Sequence, residues 1–257
     1  VKVQSMSDAG FAWSFKDSYP MYLAEFVGTM LYSMTFSIST EPDIIGSAAV
    51  QGPSVNESYF IAPIAVGFIV ISMIYAFGHI SGAHFNPAIT VAVYIRGFIS
   101  RIDAAIFIAV QILGSFAGAF LAMIVTDKVP YVLPGEPIHE GRCLVAEIIY
   151  SFAICLVVIN VATTESQRGN FFYGVSIGMT VAAGLASVQK ISGGCFNPAL
   201  GTALSVTNAL RNPAHTVKYI WIYLVGPIIG AILAGYSFFV INSKEVEAAK
   251  SVPIDQY

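Results

Sequence analysis

Two short runs carry the most specific chemistry in this sequence: Gly82-Ala83-His84-Phe85-Asn86-Pro87-Ala88-Ile89 and Gly193-Gly194-Cys195-Phe196-Asn197-Pro198-Ala199-Leu200, set 111 residues apart. Asparagine is a strong helix N-cap, and proline fits the first helical turn, where its missing N–H costs no intrahelical bond. Each Asn-Pro-Ala therefore predicts a helix start, with Asn86 or Asn197 as the cap, Pro87 or Pro198 next and Ala88 or Ala199 following. A helix start carries roughly half a positive charge from its unpaired N–H groups. Two starts facing each other would set a barrier against cations and migrating protons while leaving neutral molecules almost untouched. The two asparagine amides would donate to a passing oxygen. A water held by both must then point its own hydrogens away, which breaks a continuous proton wire.

A pair of carboxyl groups forms the second pattern. Glu25 and Glu147 sit in apolar stretches, within the matched runs Ala24-Glu25-Phe26 and Ala146-Glu147-Ile148 at an offset of 122 residues. At mid-helix in a bilayer such a group costs about 3 kcal/mol unless it is satisfied, so both are expected to have partners. A proton-relay pair, as in a carrier, is the competing reading. His79 and His84 have no carboxylate or cysteine company, which makes them candidates for pore-lining or packing hydrogen bonds rather than for metal ligation. Cys195 precedes the second motif and is a pore-lining candidate open to thiol reagents. The three cysteines, Cys143, Cys155 and Cys195, are too dispersed for a disulfide framework or a CxxC zinc site. No metal, no cofactor and no nucleophile-base pair is expected, so the chain does not read as an enzyme.

The elements that must position these residues are hydrophobic. Of 257 residues 56% are hydrophobic and 11% are charged, against about a quarter charged in a soluble domain. Candidate spans fall at about 20–40, 60–78, 103–125, 143–163, 171–188 and 217–241, each long enough to cross a bilayer with some tilt. Segments 79–95 and 189–208, which hold the two motifs, are too short and too rich in glycine and proline to cross, and read as re-entrant. Each half therefore has three spans. An odd number forces the halves to sit upside down relative to each other, with a pathway expected at their interface. The fold class is an all-α membrane protein of six transmembrane helices plus two re-entrant half-helices in an inverted repeat. It forms a single domain over 1–257, with halves at about 20–125 and 143–241. Gly114 and Gly118, Gly174 and Gly178, and Gly226 and Gly230 recur at the four-residue spacing that lets membrane helices approach closely.

Orientation follows from lysine and arginine. With the N-terminus inside, seven face inward (Lys2, Lys16, Arg96, Arg101, Arg168, Lys244, Lys250) and five outward (Lys128, Arg142, Lys190, Arg211, Lys218). Both tails, 1–19 and 242–257, are then cytoplasmic in a multi-pass integral membrane protein whose surroundings are lipid. A net charge of −3 with no basic stripe argues against nucleic acid as a partner. The triplet Asn56-Glu57-Ser58 would face outward as a glycan acceptor. Thr163, Thr164 and Ser166, on an inner loop, are candidates for phosphorylation.

The run His79-Ile80-Ser81-Gly82-Ala83-His84-Phe85-Asn86-Pro87-Ala88 resembles the first signature of the aquaporin family. Ala24-Glu25-Phe26-Val27-Gly28-Thr29 resembles its opening helix and Val225-Gly226-Pro227 its last. The resemblance covers about residues 20–241. It implies a passive channel for water and small uncharged solutes, a homotetramer with one pore per subunit, and glutamates that brace the re-entrant loops by accepting backbone N–H groups. It also implies a selectivity filter at Val66, Leu185, Gly194 and Leu200. The family usually places arginine immediately after the second Asn-Pro-Ala, where this sequence has Leu200; Val66 and Leu185 stand where water-selective members tend to have an aromatic and a histidine. The substitutions predict a wider but less wettable constriction, hospitable to glycerol, urea or ammonia. Gly201 stands where glycerol-conducting members usually have aspartate, so water is the first expected permeant. A secondary transporter of a small neutral solute, or a gated or structural member with little constitutive flux, stays open from the residues alone.

Overall fold

Long apolar runs free of glycine-proline clusters become long helices, and the two interrupted runs become short ones. The computed structural model describes residues 15–41, 57–210 and 217–245. The long helices are α1 (Phe15–Ser39), α2 (Glu57–Ser81), α4 (Arg101–Thr126), α5 (Glu140–Thr163), α6 (Tyr173–Ser192) and α8 (Ile220–Ile241), and the short ones α3 (Pro87–Arg96) and α7 (Pro198–Ala209). At 1.5 Å per residue, 20 to 26 residues reach about 30 to 39 Å, enough for the hydrocarbon core, whereas 10 or 12 residues reach about half of it. Five long helices are apolar enough to span by composition as well as by length. Only α1 is less apolar, because it carries Glu25 together with hydroxyl-bearing Tyr22, Thr29, Tyr32 and Ser33.

Burial is inverted relative to a soluble protein. Phe68, Leu113, Phe120, Ile124 and Val240 stand on the outside, Val240 at 79% exposure, while Glu25, Gln111, Ser115, Glu147 and Ser151 are enclosed. Water would reject such an outer surface and lipid accepts it. The chain is a multi-pass integral membrane protein.

The halves are related through close helix crossings. A Cβ on Gly67 of α2 would lie 3.0 Å from the carbonyl oxygen of Gly178 of α6, and one on Gly178 would lie 2.6 Å from that of Gly67. These two glycines are 111 residues apart, the offset of the Asn-Pro-Ala motifs. Repeat-related positions therefore meet each other, as they must on an axis that exchanges the halves. Away from the axis, Gly114 of α4 abuts the Phe26 carbonyl of α1 as Gly230 of α8 abuts the Ile148 carbonyl of α5. Phe26 and Ile148 are again repeat mates.

At the far end of α3 the helix stops on Gly97, whose φ of 85° suits only glycine at low cost. Arg96 anchors that end. Its guanidinium bonds Glu245 at 2.9 Å and lies between the rings of Phe98 and Phe238, so the short helix is tied to the end of α8.

Candidate pore at the meeting of two half-helices

Each half-helix is capped by its own asparagine. Asn86 Oδ1 accepts from the Ala88 N–H at 2.8 Å, and Asn197 Oδ1 accepts from the Ala199 N–H at 2.9 Å. The amide nitrogens reach across the axis. Asn86 Nδ2 donates to the Phe196 carbonyl and Asn197 Nδ2 to the Phe85 carbonyl, both at 2.9 Å. Phe196 and Phe85 immediately precede the opposite caps, so the two helix starts are bonded to each other. A primary amide has one oxygen and two N–H groups. With the oxygen on its own helix and one N–H on the opposite loop, each asparagine keeps one N–H for any further partner.

Glu25 and Glu147 hold the links that lead into the caps. Glu25 accepts from the Ser81 hydroxyl, the His84 and Phe85 N–H groups and the Gln111 amide, at 2.7 to 2.9 Å. Glu147 accepts from the Ser192 hydroxyl and the Cys195 and Phe196 N–H groups, at 2.7 to 3.1 Å. Hydrogen bonds to a charged group contribute about 1.5 to 3 kcal/mol each. Three or four of them more than offset an insertion cost of about 3 kcal/mol. They also hold a strained backbone: Phe85 and Phe196 both have φ of 52°, and Ala83 has 54°, a region that costs a non-glycine residue about 1 to 3 kcal/mol.

Several partners carry no motif of their own. Gln111 of α4 bonds both Glu25 and Thr90, and Tyr223 of α8 donates to the Ser192 carbonyl at 2.7 Å. Ser81 and Ser192 share the 111-residue offset, which is the one signal in the sequence that marks them.

A cavity of about 20 Å³ lies beside Asn86, lined by Tyr32, Val70, His84, Ile177 and Val181 among others. This is room for about one water. His84 is buried, with Nδ1 3.1 Å from the Thr90 hydroxyl. His79 stands on the exposed face of the last turn of α2, away from the cavity lining. Cys195 has no exposed surface; its thiol lies 3.3 Å from the Asn197 carbonyl and does not line the cavity.

The four expected filter positions are closely packed. Val66, Leu185 and Leu200 have no accessible surface, and Leu185 Cδ1 lies 2.6 Å from where a Cβ on Gly194 would be. The leucine side chain occupies the space that the glycine leaves. Gly201 abuts Tyr223, which leaves no room for an aspartate there. Thr163 and Thr164 are buried and Ser166 is exposed. Asn56 and most of the two expected tails lie outside the described residues.

Comparison with known proteins agrees with this architecture. The profile of the family described as major intrinsic protein matches residues 12–238. The glycerol uptake facilitator protein-like 6 of Lactiplantibacillus plantarum is 31% identical over 231 residues, covering 87% of this chain and 99% of that protein. The putative aquaporin NIP4-1 of Arabidopsis thaliana is 36% identical over 180 residues, covering 68% of this chain and 60% of that protein. The chain thus spans about three fifths of that plant relative. The X-ray structure of the aquaglyceroporin from Plasmodium falciparum superposes with a TM-score of 0.70 at 18% identity, covering 88% of this chain and 96% of that one, a likeness of fold alone.

Proposed function

This chain belongs to the major intrinsic protein family, and from that premise we propose that it is a passive channel for water and small uncharged solutes, running between the two half-helix starts. The observation that carries the reading is the reciprocal pair of bonds from the Asn86 amide to the Phe196 carbonyl and from the Asn197 amide to the Phe85 carbonyl, beside a cavity sized for one water. Two N-terminal dipole ends meeting in a low-dielectric interior repel cations and leave neutral molecules free to pass.

The filter assignment has support from symmetry. Val66, Leu185, Gly194 and Leu200 are the 111-residue mates of Ile177, Ile74, Ala83 and Ile89, and all four mates line the cavity. A ring on one side of the axis thereby has its counterpart on the other. Both rings are apolar, so charge exclusion falls on the helix starts. We read the chain as one domain with its inverted halves at about 20–125 and 143–241, its tails on the cytoplasmic side, assembled as a homotetramer.

A second reading, a gated channel with little resting flux, is favoured by the close packing of Leu185 on Gly194. Leu185→Ala separates the two. Removing the leucine side chain lowers the barrier by about 1 kcal/mol, a roughly fivefold rise in glycerol and urea flux, measured by swelling of vesicles holding equal amounts of protein. Unchanged flux removes Leu185 from the constriction.

A further inference from the structure

Tyr32 is a polar side chain of the cavity that the Asn-Pro-Ala motifs, the glutamate braces and the His84–Thr90 contact all leave unused. It lies on α1 seven residues after Glu25, two helical turns along the same face, with 5% of its surface exposed. A buried phenol normally finds a partner for its hydroxyl. Among the described residues none bonds this one, and its oxygen is not among the sealed, unpartnered atoms. The hydroxyl therefore keeps contact with the open space that Tyr32 lines together with Asn86 and His84.

The repeat separates what the fold needs from what the site adds. The mate of Tyr32 at the 122-residue offset is Ile154, and Ile154 lines the same cavity. Symmetry asks only for a bulky apolar group at this position, so the hydroxyl is an addition on one side. The remaining lining is rich in aliphatic side chains, such as Val70, Val181 and Ile177. Asn86 offers the cavity its remaining N–H as a donor, the other being engaged with the Phe196 carbonyl. A molecule that accepts from Asn86 must place its own hydrogen on an acceptor, and the Tyr32 hydroxyl is one that the lining provides beside the His84 ring.

We propose that the Tyr32 hydroxyl is a specificity-determining group of the pore, accepting the hydrogen of a permeant whose oxygen accepts from Asn86. The inference rests on the channel reading above. It assigns the cavity to molecules that accept and donate at one point, water foremost and the hydroxyl of a small polyol next. A permeant with no O–H or N–H leaves the phenol unpartnered and is disfavoured. Tyr32 thus supplies polar contact that the apolar filter ring does not.

Tyr32→Phe removes one oxygen and keeps the ring. In proteoliposomes it is expected to lower water permeability per protein roughly three- to tenfold, the range for one net hydrogen bond, and to steepen the temperature dependence. A variant that merely folds less well loses amplitude and keeps the wild-type slope. Tyr32→Ile, which copies the repeat mate, gives the same comparison if the phenylalanine variant does not accumulate. Wild-type permeability and slope in the accumulating variant overturn the assignment of Tyr32 and leave the channel standing. Wild-type protein that passes no water overturns both.

Discussion

Glu25→Ala is expected to cost more stability than any other single truncation in this protein. The change strips the acceptor from four donors at once: the Ser81 hydroxyl, the His84 and Phe85 N–H groups and the Gln111 amide. Each donor left unpaired in a dry interior costs about 1 to 3 kcal/mol. Four together rival the whole stability of a typical domain, about 5 to 15 kcal/mol. The link from Gly82 to Asn86 would also lose what holds Ala83 and Phe85 at positive φ, and the Asn86 cap would lose its position. Thermal unfolding of the detergent-purified protein, followed by intrinsic fluorescence, reads the effect directly. Glu25→Gln should fall between, because it keeps one oxygen as acceptor and sets an N–H₂ against a donor. A Glu25→Ala protein that melts with the wild type would show that the carboxylate does not hold the loop.

The second large effect is electrostatic. Asn197→Asp keeps the cap oxygen but cannot donate to the Phe85 carbonyl, and it sets a negative charge where two helix starts converge. Each start contributes about 1 kcal/mol, up to about 2 in a partly buried geometry. Cancelling about 2 kcal/mol of barrier raises cation or proton leak roughly thirtyfold. A pH-sensitive dye trapped in vesicles measures the leak under an imposed gradient. Proton flux no greater than that of wild type would mean that the helix ends do not set the barrier.

What was legible in the sequence was local or repeated. Asn-Pro announces a capped helix whatever surrounds it, and the caps form at Asn86 and Asn197 with β-region backbone. The 111-residue offset carries over from the motifs to Gly67 and Gly178, which cross on the axis. The break before the first motif falls later than the glycine and proline content suggests, after Ser81 rather than at residue 79. α2 runs on to Ser81, because nothing stops a helix until Gly82, whose φ is 88°, and that extension carries His79 to the exposed last turn.

Long-range partners were not legible. Gln111 is 86 residues from Glu25 and is one glutamine in an apolar helix, with no spacing rule to connect them. Nor does residue type alone give the width of a constriction. Val, Leu, Gly and Leu do not say how they pack, and it takes the folded chain to put Leu185 over Gly194. The cross-axis bonds of the two asparagines depend on the inverted halves being docked, which no single segment encodes.

The two asparagine-capped helix starts are proposed to form a passage for neutral molecules and a barrier to protons. Stopped-flow swelling of vesicles containing the purified wild-type protein, with a pH dye in the same lumen, tests both parts at once. Water permeability well above that of empty vesicles, with a shallow temperature dependence and no added proton flux, is the expected result. Swelling no faster than that of empty vesicles, or protons crossing along with the water, would contradict it.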